Sequence, residues 1–428
     1  MTRTNLSDII SCLSGYDPDA MSVTQARQVI NDFVPPLATF EKLAIRSALD
    51  RVLAQDIVSG INVPANDNSA MDGYALRGDD LPASGERTLP VVATIHAGQH
   101  YAHNVSAGTC VRIMTGAVMP DGCDTVIPQE LTHAATDGAV TIPAGAVKTG
   151  DNRRRAGEDL RTGQTALRRG KILRPADIGM LASLGVAEVA VQRRLRVAFF
   201  STGDELRSVG EVLTPGCVYD SNRYTLYGML KRLGCEMLDM GVINDDPAAL
   251  EAAFRRAAED ADAVITSGGV SVGAADYTKQ IMQQLGDMSF WKIGMRPGRP
   301  MAFGRIASGD KEAYLFGLPG NPVAVMISFY FIVRDALLHM MGAEQAPLPR
   351  LQVVSRSAIR KRPGRTEYQR GILSADDDGI WRVRLTGEQG SGILRSMSDA
   401  NCIVVLNDDQ GNVASGDLVQ VVLFDGLV

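Results

Sequence analysis

The chain is short of the residues that mark several protein classes. Its six cysteines, at 12, 110, 123, 217, 235 and 402, form no C-x-x-C pair. That argues against a zinc ribbon and a disulfide scaffold, and cysteines this sparse suit a reducing, cytoplasmic compartment. A basic excess is missing too: 43 Lys+Arg against 49 Asp+Glu leave a net charge of −6, so no nucleic-acid partner is expected. No apolar segment follows the basic residue near the N-terminus, which argues against a secretory signal. The longest apolar run, Val323 to Val333, stops at Arg334 and Asp335 and is too short to span a bilayer, so no membrane partner is expected. With five histidines in all, histidine-based chemistry has little material. His96, His100 and His103 have metal-like spacing, but Ala97-Gly98 and the preceding Val-rich strand break the helix they would need, so they read as surface-loop residues.

What is present is material for several folded units. At roughly 150 residues per domain, 428 residues give about three. Four segments of distinct texture follow one another. Residues 1–60 read as helical, with Thr24 capping Gln25–Phe33, Pro35-Pro36 as the stop, and a second helix over Leu43–Leu53. They group with 167–195, where Pro175–Leu184 reads as a helix. Residues 61–166 are β-rich: short runs such as Leu89–Ile95, Thr109–Met114, Thr125–Pro128 and Ala139–Ile142 are separated by Gly, Pro, Asn and Asp. Residues 196–345 alternate strands (Arg196–Phe200, Glu236–Val242, Ala263–Thr266) with helices (Tyr224–Leu233, a Pro247 helix, Asp276–Leu285, Val323–Met341), the pattern of a doubly wound sheet. Residues 346–428 are β again, with a turn at Asp376–Gly379. The expected fold is therefore multidomain α/β plus β.

The segment Ala263 to Gly273 runs a buried strand into Ser267-Gly268-Gly269 and on to Ser271 and Gly273. Glycines let backbone N–H groups approach an anion, and the next helix start adds partial positive charge. Ala274-Ala275 replace the Lys-Ser/Thr of a nucleotide P-loop, so this is not a standard one. The alternative is a tight strand-to-helix turn, where glycine is common anyway. Gly269-Val-Ser-Val-Gly273 also matches the G-x-S-x-G of esterases, but the one later histidine, His339, sits near the end of an apolar helix.

Carboxylates cluster at predicted strand ends: Asp204 and Glu205, Asp220, Asp245 and Asp246, and Asp276. Beside a phosphate loop such acids repel a phosphorylated ligand unless a divalent cation intervenes, and magnesium is the natural one. Asp246 before Pro247 reads equally as a helix cap. Lys292, Arg296 and Arg299 flank a Pro-Gly turn and suit an oxyanion, or form a solvated basic turn. Asn66 to Ala75 is a dense Asn/Asp/Gly turn in which Asp72 is either a turn residue or a displayed carboxylate. In Arg153 to Asp159, three arginines either fix Glu158 and Asp159 or bind an anion.

Taken in order, these segments resemble the molybdopterin molybdenumtransferases, the MoeA and gephyrin-E-domain family. The resemblance rests on Asp67-Asn-Ser-Ala-Met-Asp-Gly-Tyr74, Arg112-Ile-Met-Thr-Gly-Ala117, Arg155-Ala-Gly-Glu-Asp159 and Phe200-Ser-Thr-Gly-Asp-Glu-Leu206. It continues through Tyr219-Asp-Ser-Asn-Arg223, Thr266-Ser-Gly-Gly-Val-Ser-Val-Gly273 with Asp276, Met295-Arg-Pro-Gly-Arg-Pro300 and Phe316-Gly-Leu-Pro-Gly-Asn-Pro322. The resemblance implies insertion of molybdate into adenylylated molybdopterin with release of AMP, assisted by Mg2+ or another divalent ion. It implies an elongated homodimer with an adenylyltransferase-like central subdomain and a C-terminal β-barrel-like one.

It also implies site residues. Thr202, Ser267, Gly268, Gly269, Ser271, Gly273, Pro319 and Asn321 would hold the pterin substrate, and Glu205, Asp245 and Asp276 would serve catalysis and metal. Asp72, Thr115 and Asp159 would reach the cleft from the partner chain. Lys292, Arg296, Arg299 and Ser391 would attract molybdate, with arginine at 296 and 299 where lysine is frequent in the family. Transfer complexes with other molybdenum-cofactor biosynthesis proteins or molybdoenzyme chaperones follow from the same likeness. The competing function is a non-catalytic molybdopterin-binding scaffold of the gephyrin-E type.

Overall fold

The computed structural model describes residues 5–13, 15–134, 138–270 and 276–427. The chain divides into two compact units, one of Met1–Glu41, Asp50–Ala54 and Ala190–Val428, the other of Lys42–Leu49 and Gln55–Val189.

The first unit is built on a six-stranded sheet. Its strands are β1 (Arg196–Thr202), β2 (Glu236–Ile243), β3 (Ala263–Ser267), β4 (Gly286–Lys292), β5 (Pro300–Ser308) and β6 (Lys311–Leu318), in the order β2-β1-β3-β6-β5-β4. The first four in that order run parallel, and β5 and β4 continue antiparallel. Alternation along β1 splits two cores, because successive side chains point to opposite faces. Val197 and Phe199 join Ile265, Phe316 and helix α1 (Ser221–Arg232) through Leu226 and Leu230. Ala198 and Phe200 pack on the other face with Leu250 and Phe254 of α2 (Pro247–Asp260) and Ile281 and Met282 of α3 (Asp276–Leu285).

The cap signals work as the sequence suggests. Asp246 accepts a hydrogen bond from Ala249 N at 2.8 Å, with Pro247 in the first turn. Helix α1 starts at Ser221 rather than Tyr224, because buried Asp220 caps it through Arg223 N at 3.2 Å. The apolar segment after Pro319 forms α4 (Pro322–Ser328), a π-helical turn over Phe329–Val333 and α5 (Arg334–Met340). Pro322–Met340 is long and apolar enough to cross a membrane by length and composition, but most of it is buried in the core with Phe316 and Trp291.

Two readings of the N-terminal segment are corrected. The helix Val23–Phe33 is capped by Ser22, not Thr24: Ser22 Oγ accepts from Gln25 N at 3.1 Å and Gln25 Oε1 from Ser22 N at 3.0 Å. Leu43–Leu53 is not a helix. A strand covers Phe40–Ala44 and a 3₁₀ turn Ile45–Ser47, where Ile45 N donates to Ala187 O. Asp50 then adopts φ +62, which no right-handed helix accommodates. Farther on, Ile57–Val58 is a strand paired with Thr165–Leu167.

Residues 351–423 form a closed barrel. Thr366–Ala375 pairs with both Trp381–Leu385 and Cys402–Leu406, and Leu351–Ser355 and Leu418–Leu423 complete the ring. Val353, Leu373, Val383, Val404 and Val421 fill it. The second unit carries its own mixed sheet, in the order Thr125–Pro128, Gly73–Leu76, Cys110–Ile113, Glu86–Ile95, Ala139–Pro143, His133–Ala134. Val111, Ile113 and Val126 form part of its core. His96, His100 and His103 are exposed, as expected of loop residues.

Candidate functional site

In this strand order the chain leaves β1 toward β2 on one side and returns to β3 on the other. Open sheets bind ligands at such a switch point, outside the carboxyl ends of the diverging strands. A cavity of about 240 Å³ lies there. Thr202 at the end of β1, Ser267 at the end of β3 and the Gly268-Gly269 turn line it, with Glu205 and Asp245 on loops after β1 and β2. Both glycines are required. Gly268 has φ +94, and a Cβ there would meet Thr202 O at 2.6 Å. Gly269 has φ +70, and its Cβ would meet Thr278 Cγ2 at 2.9 Å.

The loops are tied together from beneath. Asn222, in the first turn of α1, donates from Nδ2 to Ser267 Oγ at 2.6 Å and to Gly320 O at 2.7 Å. Ser201 Oγ donates to the capping carboxylate of Asp220 at 3.0 Å. The acids after β1 and β2 also meet: Asp245 N donates to Asp204 Oδ1 at 3.2 Å. Burial, then the charges of Asp204 and Glu205, push the Asp245 carboxyl above its ordinary range. Oxygen donors of this kind suit magnesium. Among the described residues no group of three or more ligating side chains converges, so Glu205 and Asp245 would offer two carboxylates and leave the other positions to water and substrate oxygens.

The predicted cations do not gather in that cavity. Lys292 Nζ lies 2.7 Å from Asp19 Oδ1, Arg299 is exposed, and Arg296 lies 3.9 Å from buried Glu367. Arg296 lines a second cavity of about 390 Å³ with Arg360, Glu367, Arg370 and Gln389. Arg370 is fully buried, and burial followed by the nearby Arg296 lowers its pKa to about 10, which leaves it charged at neutral pH. It holds the following loop by donating from Nε to Ser396 Oγ and from a terminal nitrogen to Gly390 O, each at 2.9 Å. Ser391, next along, accepts from Val323 N at 3.0 Å and so seats on the start of α4, which Asn321 precedes as N-cap. Pro319 is buried, and Gly320 lines the first cavity.

In the second unit the structure brings two predicted residues together. Asp72 Oδ1 accepts from Thr115 N at 2.7 Å and from Thr115 Oγ1 at 2.8 Å, and these bonds, with Arg112 nearby, hold its carboxyl below the usual range. The arginine run fixes acids: Arg153 pairs with Asp67, and Arg154 Nε reaches Glu158 at 2.6 Å. Asp159 is exposed beside them. Ser271, Gly273 and the side chain of Asp276 lie outside the described residues. His339 lines a different cavity, with Phe33, Arg305 and Tyr314.

Residues 21–185 match the MoeA N-terminal region (domains I and II), residues 198–339 a family described as "Probable molybdopterin binding domain", and residues 352–424 the MoeA C-terminal region (domain IV). The chain belongs to the MoeA family. It is 40% identical over 409 residues to molybdopterin molybdenumtransferase of Haemophilus influenzae, covering 95% of this chain and 100% of the relative. It is 36% identical over 379 residues to molybdopterin molybdenumtransferase 2 of Mycobacterium tuberculosis, covering 86% and 91%. A crystal structure of a molybdopterin biosynthesis MoeA protein from Pyrococcus horikoshii superposes with a TM-score of 0.80 at 28% identity, covering 95% of this chain and all of that one. As in other MoeA proteins, the fold joins a mixed α/β sheet to a C-terminal β-barrel.

Sequence reasoning passed over Asn222, Thr278 and Arg370. Asn222 stood inside the Tyr219–Arg223 motif and could have been found there. Arg370 had no local signal, because the segment Glu388–Ser396 that covers and bonds it lies 18 to 26 residues farther along the chain.

Proposed function

We propose that this MoeA-family chain is a molybdopterin molybdenumtransferase. In this reading it inserts molybdate into adenylylated molybdopterin and releases AMP. The observation that carries the reading is the cavity at the β1/β3 switch point, with its double-glycine turn and paired carboxylates, in a chain so similar to named transferases.

Each residue then has a physical task. Thr202, Ser267 and the Gly268-Gly269 turn seat the substrate against backbone. Glu205 and Asp245 face its phosphoanhydride, and Mg2+ held there would supply charge neutralisation. Arg296 and Arg370, on the second cavity, attract the molybdate oxyanion. Asp72 is kept ionised by Thr115. Rate acceleration comes from orientation and fixed charge rather than from a covalent protein intermediate. The homodimer, the cytoplasmic setting and handover to other cofactor-assembly proteins belong to the same reading. The six unpaired cysteines support a reducing compartment.

The test is direct. Purified protein is given adenylylated molybdopterin, molybdate and magnesium, and AMP release and molybdenum on the pterin are followed. Molybdate-dependent AMP release with metal retained on the pterin is expected. Tight pterin binding without turnover would replace the enzyme with a scaffold.

A further inference from the structure

The cavity at the switch point has a polarity that its glycine turn hides. Its described lining includes two carboxylates, Glu205 and Asp245, and no lysine or arginine. Asn222 and Thr202 also line it, only 6% and 5% exposed, and each keeps a buried oxygen without a partner: Asn222 Oδ1 and Thr202 Oγ1. A buried polar atom left unpaired is costly and calls for a partner.

For Asn222 the identity of that partner follows from its other bonds. An amide can be turned end for end, and its orientation is set by its neighbours. Here Gly320 O, 2.7 Å away, is a carbonyl and can only accept. The amide nitrogen must face it, and the same nitrogen reaches Ser267 Oγ at 2.6 Å. Both N–H groups are thereby spent. The remaining atom, Oδ1, is an acceptor only. It takes an N–H or O–H and repels a phosphate oxygen.

We infer that Asn222 is a specificity-determining residue of the substrate cavity, whose Oδ1 accepts a hydrogen bond from an N–H or O–H group of the bound substrate. The inference rests on the transferase reading above and deepens it. The end of the cavity beside Asn222 takes a neutral, donor-bearing part of the substrate, either a nucleotide hydroxyl or amino group or a pterin N–H. The phosphates lie away from it. Meanwhile Asn222 Nδ2 keeps the ends of β3 and β6 in register with α1, so recognition and loop position are joined in one side chain.

The experiment is a binding cycle on the full chain by calorimetry. One arm compares AMP with its 2′-deoxy, 3′-deoxy and 6-desamino analogues. The other compares pterin with 2-desamino-pterin. Each is run on the wild type and on Asn222→Ala, with melting checked first. The wild type should lose about tenfold or more in affinity for one donor-lacking analogue, the cost of stranding a buried acceptor. The arm in which this happens identifies the source of the donor. In Asn222→Ala that discrimination should vanish, whereas a merely structural residue would weaken every ligand alike and leave the ratio intact. Equal wild-type binding of all analogues overturns the inference, and so does a ratio unchanged in the variant. If the variant fails to fold, the wild-type panel decides alone on the same criterion. A wild type that binds neither AMP nor pterin removes the transferase reading itself, and this inference with it.

Discussion

Replacing Gly268 by alanine tests whether the cavity wall is set by backbone conformation. At φ +94 a residue with a side chain costs roughly 1–3 kcal/mol in backbone strain. The added methyl would also sit 2.6 Å from Thr202 O and 3.0 Å from Thr202 Oγ1. That carbonyl belongs to a strand paired on both sides, and Gly268 N is itself bonded to Leu318 O at 3.1 Å. Neither side yields easily, so crowding adds roughly 1–3 kcal/mol. The sum is about 2–6 kcal/mol. If the turn stays in place, this emerges as lower stability. If the turn shifts to relieve it, the wall moves by a fraction of an ångström to one ångström, and turnover falls by about 100-fold. Denaturant melts and molybdate-dependent AMP release, measured on the same preparation, separate the two routes. Gly179→Ala is the control. It lies in the helix Pro175–Ser183, and nothing stands within 4 Å of its Cβ, so it should gain about 0.5–1 kcal/mol and keep full activity. A Gly268→Ala protein with wild-type stability and wild-type turnover would refute the reasoning.

Asp72→Ala and Glu205→Ala should each fold and lose turnover; normal AMP release from either removes that residue from the working set. Thr115→Val should let the Asp72 carboxyl titrate at higher pH, seen by NMR, because its hydroxyl bond is gone; an unmoved titration would show that the backbone bond alone governs it. Asp245 is raised in the folded state, so its contribution to stability is present at low pH and is lost as pH rises above the ordinary aspartate value. Asp245→Asn should therefore melt slightly higher than the wild type near neutral pH and no higher in acid, and magnesium should stabilise the wild type more than the variant; the opposite ordering would contradict the repulsion seen here. Phe254→Ala, at a fully buried site against Phe200, should cost about 3–5 kcal/mol in chemical denaturation, and a loss below 1 kcal/mol would mean that this core face repacks.

The alternation of strands and helices from Arg196 onward was legible because each element carries its own periodicity and its own cap. Asp246-Pro247 starts a helix and Gly234 ends one by local chemistry alone. Leu43–Leu53 misled because its apolar spacing imitates a helix, while Asp50 at positive φ and the Ile45–Ala187 bond break it. The cap at Ser22 was missed by two residues because Thr24 carries the same hydroxyl, and only the reciprocal bonds with Gln25 distinguish them.

Sequence alone therefore determined the first three parallel strands of the central sheet with their helices, and the eight motifs that mark the MoeA family. It could do so because turn geometry, capping and close backbone approach restrict residue type locally. Tertiary structure decided the rest. Strand order put Thr202 beside Ser267, the loop through Gly390 to Ser396 folded over Arg370, and the carbonyl of Gly320 fixed which way Asn222 faces. The bonds of Asn222 depend on segments 45 and 98 residues apart meeting at one sheet edge, and no spacing within a single motif encodes such a meeting.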